Sequence, residues 1–189
     1  MAEDEPPRVV ARIEDLALLY YAGLFAQRPR NAGNLTAVMS DYFELPLTVE
    51  QFRGQWLKLD PADQTCLGMH GTLGIDSVAG DRVWDVQAKF RVRIGPLPLQ
   101  RFEEYLPDRS PVPERKSLFM LAKLTRLFVG PEFDFDVQLV LRAADVPPCQ
   151  LVDAGFGARL GWNTWLASLP READAADPVF AVDESVWLA

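Results

Sequence analysis

The sequence predicts an α+β fold: N-terminal helices, a small, mostly antiparallel sheet with interspersed helices, and an irregular Trp/Gly-rich C-terminal segment. Three observations carry this. Apolar residues recur at helical spacing from Val9 to Phe43 and again from Leu118 to Phe128. They alternate at strand spacing over Val86–Ile94 and Phe133–Leu141. Gly-Pro and Pro-Pro pairs separate these runs, so helices and strands fall in different stretches of chain.

Each element follows from local pattern. Residues 1–8, acidic and proline-containing, read as a disordered leader ahead of a domain over 9–170. Val9, Ile13, Leu16, Tyr20 and Leu24 share a helical face that Leu18, Leu19, Tyr21 and Phe25 widen, which predicts a helix buried on more than one side. Pro29 ends it, because a residue before proline is driven out of the α region. Asn31 or Asn34 can cap a second helix with Leu35, Val38, Met39, Tyr42 and Phe43 inward, closed by Pro46. Leu47 and Val49 begin a short strand, with Gln55–Leu59 its expected partner. Residues 60–81, with four glycines, read as loop. A long strand has Val86, Ala88, Phe90, Val92 and Ile94 on one face and Gln87, Lys89, Arg91 and Arg93 on the other, with Gly95-Pro96 expected to stop it. Pro98 suits the first turn of a short helix burying Leu99, Phe102 and Leu106. A helix from about Glu114 to Val129 buries Leu118, Leu121, Ala122, Thr125 and Phe128 and ends at Gly130-Pro131. The strand Phe133–Leu141 follows, its polar face, with Asp134, Asp136, Gln138 and Arg142, read as solvated or partner-facing. Gln150–Val152 is a candidate last strand. Residues 171–189 read as a flexible acidic segment and a short apolar tail.

Composition narrows the function. The chain has 189 residues, 49% of them apolar, enough for a core, since a domain of this size buries roughly two thirds of its unfolded surface. Its net charge of −8 argues against nucleic acid or an anionic membrane as principal partner. No apolar run approaches the ~20 residues of a membrane span, and the acidic N-terminus is unlike a signal peptide. Cys66 and Cys149 form no disulfide framework, which fits a reducing compartment.

The search for chemistry is nearly empty. His70 is the single histidine, which removes every multi-histidine metal site; Ser77 lacks the nucleophile-elbow spacing; Cys66 and Cys149 make no CxxC. Gly155, Gly157 and Gly161 are one residue too widely spaced for a dinucleotide fingerprint, and no phosphate loop is present. Asp134 and Asp136 share a strand face, which suits an acid/base pair, but a solvated face is the simpler reading. Asp76, Asp81 and Asp85 miss the calcium-loop spacing. No cofactor or metal is expected. Instead, five tryptophans (Trp56, Trp84, Trp162, Trp165 and Trp187) stand at segment ends and in loops, where they either cap a core or contact partners.

These residues fall into recognisable blocks. Tyr21-Ala22-Gly23-Leu24-Phe25-Ala26-Gln27-Arg28-Pro29-Arg30 runs on to Leu35 and Asp41-Tyr42-Phe43. Val49-Glu50-Gln51-Phe52 and Gln55-Trp56-Leu57 form the second block. Leu73-Gly74, Gly80-Asp81-Arg82-Val83-Trp84-Asp85 and Lys89–Leu97 form the third, and Ala158–Leu166 the last. In this order, over about residues 15–167, they resemble the TssG (ImpH/VasB) family of type VI secretion baseplate proteins. The resemblance implies a non-catalytic structural subunit that forms a wedge with TssF and docks TssK. Wedges surround the VgrG hub and carry sheath and tube assembly. It also implies a cytoplasmic address at the baseplate, docked on the inner-membrane complex, with neither nucleic acid nor membrane insertion. Family members usually extend further at the N-terminus, so part of that region is expected to be missing here. Trp84, Arg91, Arg93, Arg159, Trp162, Trp165 and Leu166 are the candidate partner-binding residues. Trp162 and Trp165, three apart, are expected to present both indoles from one turn. Two other readings stay open: a stand-alone binding module of this fold, and an enzyme using Asp134/Asp136 or His70.

Overall fold

The computed structural model describes residues 15–66, 68, 71–75, 77–107, 117–148, 159–166 and 171–182. The leader, the helix start at Val9, the strand at Gln150–Val152, and His70, Asp76, Cys149, Gly155, Gly157 and Trp187 lie outside them.

The N-terminal apolar stretch forms two short helices, α1 (Asp15–Tyr20) and α2 (Ala22–Ala26), separated at Tyr21. Leu18, Tyr21, Leu24 and Phe25 pack against the core, whereas Leu16, Leu19 and Tyr20 are exposed. The expected burial on several sides is therefore corrected: one face is buried and the wide apolar stripe continues onto open surface. The Tyr21 hydroxyl donates to Asp41 Oδ2 at 2.6 Å, tying α2 to the next helix. That helix, α3 (Ala32–Phe43), is capped by Asn31, whose side chain accepts from Asn34 N at 2.7 Å.

Four strands make the main sheet, in the order β1 (Leu47–Glu50), β4 (Lys89–Leu97), β5 (Asp134–Leu141) and β6 (Val179–Ala181). The two outer pairings are antiparallel, and the central one, β4 with β5, is parallel. A parallel neighbour requires a long crossover, supplied here by α4 (Leu99–Glu104) and α5 (Ser117–Val129). One sheet face, with Phe90, Val92, Ile94, Phe135, Val137 and Leu139, packs with Leu35, Met39, Phe102, Leu121 and Phe128 from the helices. The helix buries every residue expected of it.

Three expectations change. Gly95-Pro96 does not stop β4: the strand continues to Leu97 through a register shift against β5. Gly95 has φ +123°, and a Cβ there would run into the Val140 carbonyl, so only glycine fits this crossing. Second, Gln55–Leu59 does not pair with β1. Its strand, β2 (Gln55–Lys58), pairs instead with β3 (Arg82–Asp85) in a separate two-stranded sheet. Third, the middle of the polar face of β5 is not solvated: Asp136 and Gln138 are buried, while Asp134 and Arg142 at its two ends are exposed. Gln138 donates to Ala176 O, because residues 171–182 run along β5 as a strap. Ala175 bridges Leu141, and Asp174 accepts from Ala143 N at 2.9 Å.

Candidate partner-binding surfaces

The residues singled out from the sequence divide into three places. Arg91 and Arg93 project from the polar face of β4. Cross-strand register sets Arg91 beside Asp136 and opposite Glu50. The Arg91 guanidinium grips Asp136 with two hydrogen bonds, the second from Nη2 to Oδ2 at 3.0 Å, and Lys89 Nζ lies 3.2 Å from the same carboxylate. Burial alone would raise the Asp136 pKa. The Arg91 hydrogen bonds and the charges of Arg91 and Lys89 outweigh it and hold the carboxyl below its ordinary value. An aspartate locked in its ionised form by two cations is a poor proton donor at neutral pH, and Asp134 is engaged by Gln55 Nε2 at 3.0 Å. Arg93 reaches Glu50 at 3.4 Å and is more open. Among the described residues no group of three His, Cys, Asp or Glu side chains converges on a point that could hold a metal.

The C-terminal tryptophans do not project together. Residues 160–163 form a turn, with Gly161 at φ +78°. Trp165 is 6% exposed: it packs on Phe102, with centroids 5.8 Å apart, and donates from Nε1 to Asp177 at 3.0 Å. Trp162 is half-buried and edge-on to Phe180, with the Arg159 guanidinium 4.9 Å above its ring. Leu166 is 97% exposed. One indole plugs the domain, and the second sits at its rim beside Arg159 and Leu166.

Trp84 lies in a different setting. Strands β2 and β3 pair antiparallel with Trp56 directly opposite Trp84 and Leu57 opposite Val83. The indoles meet edge to face at 5.2 Å, yet Trp56 is 62% and Trp84 52% exposed. Gly54 makes this arrangement possible, since a Cβ there would occupy the Trp84 ring position. Phe52, at φ +59°, is 70% exposed at the base, and Leu73 and Ile75 stand open on the loop joining the strands. Each face of the hairpin thus carries one apolar cross-strand pair, Trp56/Trp84 on one side and Leu57/Val83 on the other, and neither pair is packed in the core. A two-stranded ribbon is marginal on its own, and contiguous exposed apolar surface marks an interaction site. Sequence reasoning named Trp56 among the tryptophans that cap a core or contact partners but did not place it with Trp84 among the candidate partner-binding residues. The available signal was a tryptophan in each of two short strands, neither of which has a consistently polar face.

The exposed Leu16, Leu19 and Tyr20 of α1 make a second apolar surface. Among the described residues no helix is long and apolar enough to cross a membrane.

Comparisons with known proteins agree with this architecture. No curated protein matches the sequence. Two solved structures match the fold. One is a chain of the type VI secretion TssK-TssF-TssG baseplate subcomplex, at TM-score 0.65 and 15% identity, covering 88% of this chain and 69% of that one. The other is a chain of the type VI secretion baseplate complex, at TM-score 0.52 and 16% identity, covering 95% and 49%. The family model "Type VI secretion, TssG" matches residues 3–167. With that match spanning most of its sequence, the chain belongs to the TssG family of type VI secretion proteins.

Proposed function

We propose that the chain is a non-catalytic structural subunit of the type VI secretion baseplate, which joins TssF in a wedge and docks TssK. The observation that carries this reading is the family match over residues 3–167, on a fold shared with the baseplate subcomplex. The exposed apolar surfaces supply physical support: a chain of −8 net charge that leaves Leu16, Leu19, Phe52, Trp56, Trp84 and Leu73 in water has surface suited to neighbours. TssK is the proposed occupant of the Trp56/Trp84 hairpin. The rim formed by Arg159, Trp162 and Leu166, with Trp165 fixing it from beneath, is a second contact. Arg93 and its Glu50 partner contribute a polar border, while Arg91 serves by holding the sheet face in shape. The VgrG hub and adjoining wedges are further proposed neighbours, at the cytoplasmic side of the inner-membrane complex. Coexpression with TssF and TssK tests the reading: one complex containing all three chains is expected, and a chain that elutes free of both contradicts it.

A further inference from the structure

Strand β1 is an outer strand of the main sheet, and among the described residues no strand lies on its far side. Gly95 N donates to Pro46 O at 2.8 Å, which makes Pro46 and Gly95 a bonded pair continuing the β1–β4 register. Bonded and non-bonded pairs alternate along an antiparallel ladder, so Thr48/Arg93 and Glu50/Arg91 are bonded as well. The backbone N–H and C=O groups of Leu47 and Val49 therefore turn away from β4, toward the open edge.

At the end of this edge a groove of about 300 Å³ opens, with Val49 and Gln51 on its wall. Leu35 and Phe128 give it an apolar lining, and Arg30 and Lys89 are its charged residues. Among the described residues no carboxylate lines it, although the chain carries 27 acidic residues against 19 basic ones. Lys89 is already paired with Asp136. Arg30 lies over Phe128, 5.3 Å from the ring centroid, and its Nη1 donates to Leu127 O at 3.1 Å. Its Nε is buried without a hydrogen-bond partner. A guanidinium held on an aromatic ring with donor capacity to spare favours a carboxylate, the acceptor that its fork fits best.

We propose that an extended segment of a neighbouring protein adds to the open edge of β1, seating an apolar side chain in this groove and a carboxylate, two residues along, on Arg30. The open backbone groups of Leu47 and Val49 select an extended strand, because only a strand answers both. Cross-strand neighbours share a sheet face, so the residue opposite Val49 turns its side chain to the groove, as does every second residue beside it. The apolar lining and the unmatched charge of Arg30 then set the two side chains: one apolar, one acidic, on the same face. For the source of the segment the proposal rests on the reading of the chain as a subunit held by neighbours.

The test tethers the full chain sparsely to a sensor surface, so that copies do not meet, and measures three blocked peptides. The first is Thr-Val-Thr-Phe-Thr-Glu-Thr, which puts Val, Phe and Glu on one strand face. The second carries Gln in place of Glu, and the third is the first peptide N-methylated along its backbone. The first peptide is expected to bind and the second to bind about tenfold more weakly, the usual effect of losing a charge-assisted hydrogen bond. The third should not bind, because it cannot donate to the β1 edge. On Arg30→Gln the first two peptides should bind alike; if that variant unfolds, the three peptides on the parent decide. No binding of the first peptide overturns the proposal. So does equal binding of the first two, which leaves a merely apolar groove, or undiminished binding of the third, which assigns the groove to a small amphiphilic carboxylate rather than a strand. The assay contains neither TssF nor TssK, so its failure strikes the groove alone and leaves the baseplate reading to the coexpression experiment.

Discussion

Asp136 decides the character of the polar sheet face. Its side chain is 4% exposed and Arg91 15%, so removing the carboxylate strands a guanidinium in a poorly solvated site. Asp136→Ala is expected to cost about 3–5 kcal/mol in urea unfolding, the usual penalty for breaking one half of a buried pair. The pH dependence follows from its depressed pKa. The stabilisation is complete above the unfolded value of 3.8 and is lost as pH falls through the lower folded value. The parent should therefore lose stability on acidification below that point more steeply than Asp136→Asn, with little difference between them in slope near neutrality. Trp165→Ala tests the other buried anchor. Removing an indole that fills space against Phe102 is expected to cost about 3–5 kcal/mol, whatever partner is present. The alternation of β5 was legible in the sequence, but the burial of Asp136 was not. A period of two assigns residues to opposite faces. Whether the second face is wet depends on Lys89 and Arg91 across the sheet and on the strap at 171–182, all distant in sequence.

Among the elements, α5 and α3 were the most legible, because a 3.6-residue period, an Asn cap and a Gly-Pro stop all agree locally. Strand pairing was harder to read. β2 lies next to β1 in sequence but joins β3, and β4 crosses Gly95-Pro96 because Gly95 tolerates φ +123° against the Val140 carbonyl. Both outcomes depend on contacts that spacing does not encode. The β2–β3 hairpin is the element whose role differs most from a core strand pair. Trp56→Ala/Trp84→Ala should leave the melting temperature near the parent's, because both indoles are mostly exposed. Capture of TssK should weaken, with each buried interface indole contributing about 2 kcal/mol or more. Unfolding of the double variant would make the pair a structural staple instead. Gly54→Ala offers a gentler probe: it displaces Trp84 without deleting it, so it should weaken the same capture while both tryptophans remain.

At the scale of the whole molecule, one helix-covered sheet carries apolar side chains that the core leaves open: Leu16, Leu19 and Tyr20 on α1, Trp56 and Trp84 on the hairpin, and Leu166 at the rim. Their separation suits a subunit held between several neighbours. The blocks that resemble the TssG family were legible because they combine these surface residues with turn and cap positions. Where Trp162 and Trp165 would go was not, since Phe102, Asp177 and Phe180 lie on other segments. The most direct measurement is size-exclusion chromatography with light scattering on the chain coexpressed with TssF and TssK. A single peak whose mass requires all three proteins is the expected result, with the isolated chain self-associating and binding a hydrophobic dye. A monodisperse, dye-free monomer that stays apart from both proteins would contradict the assignment as a baseplate subunit.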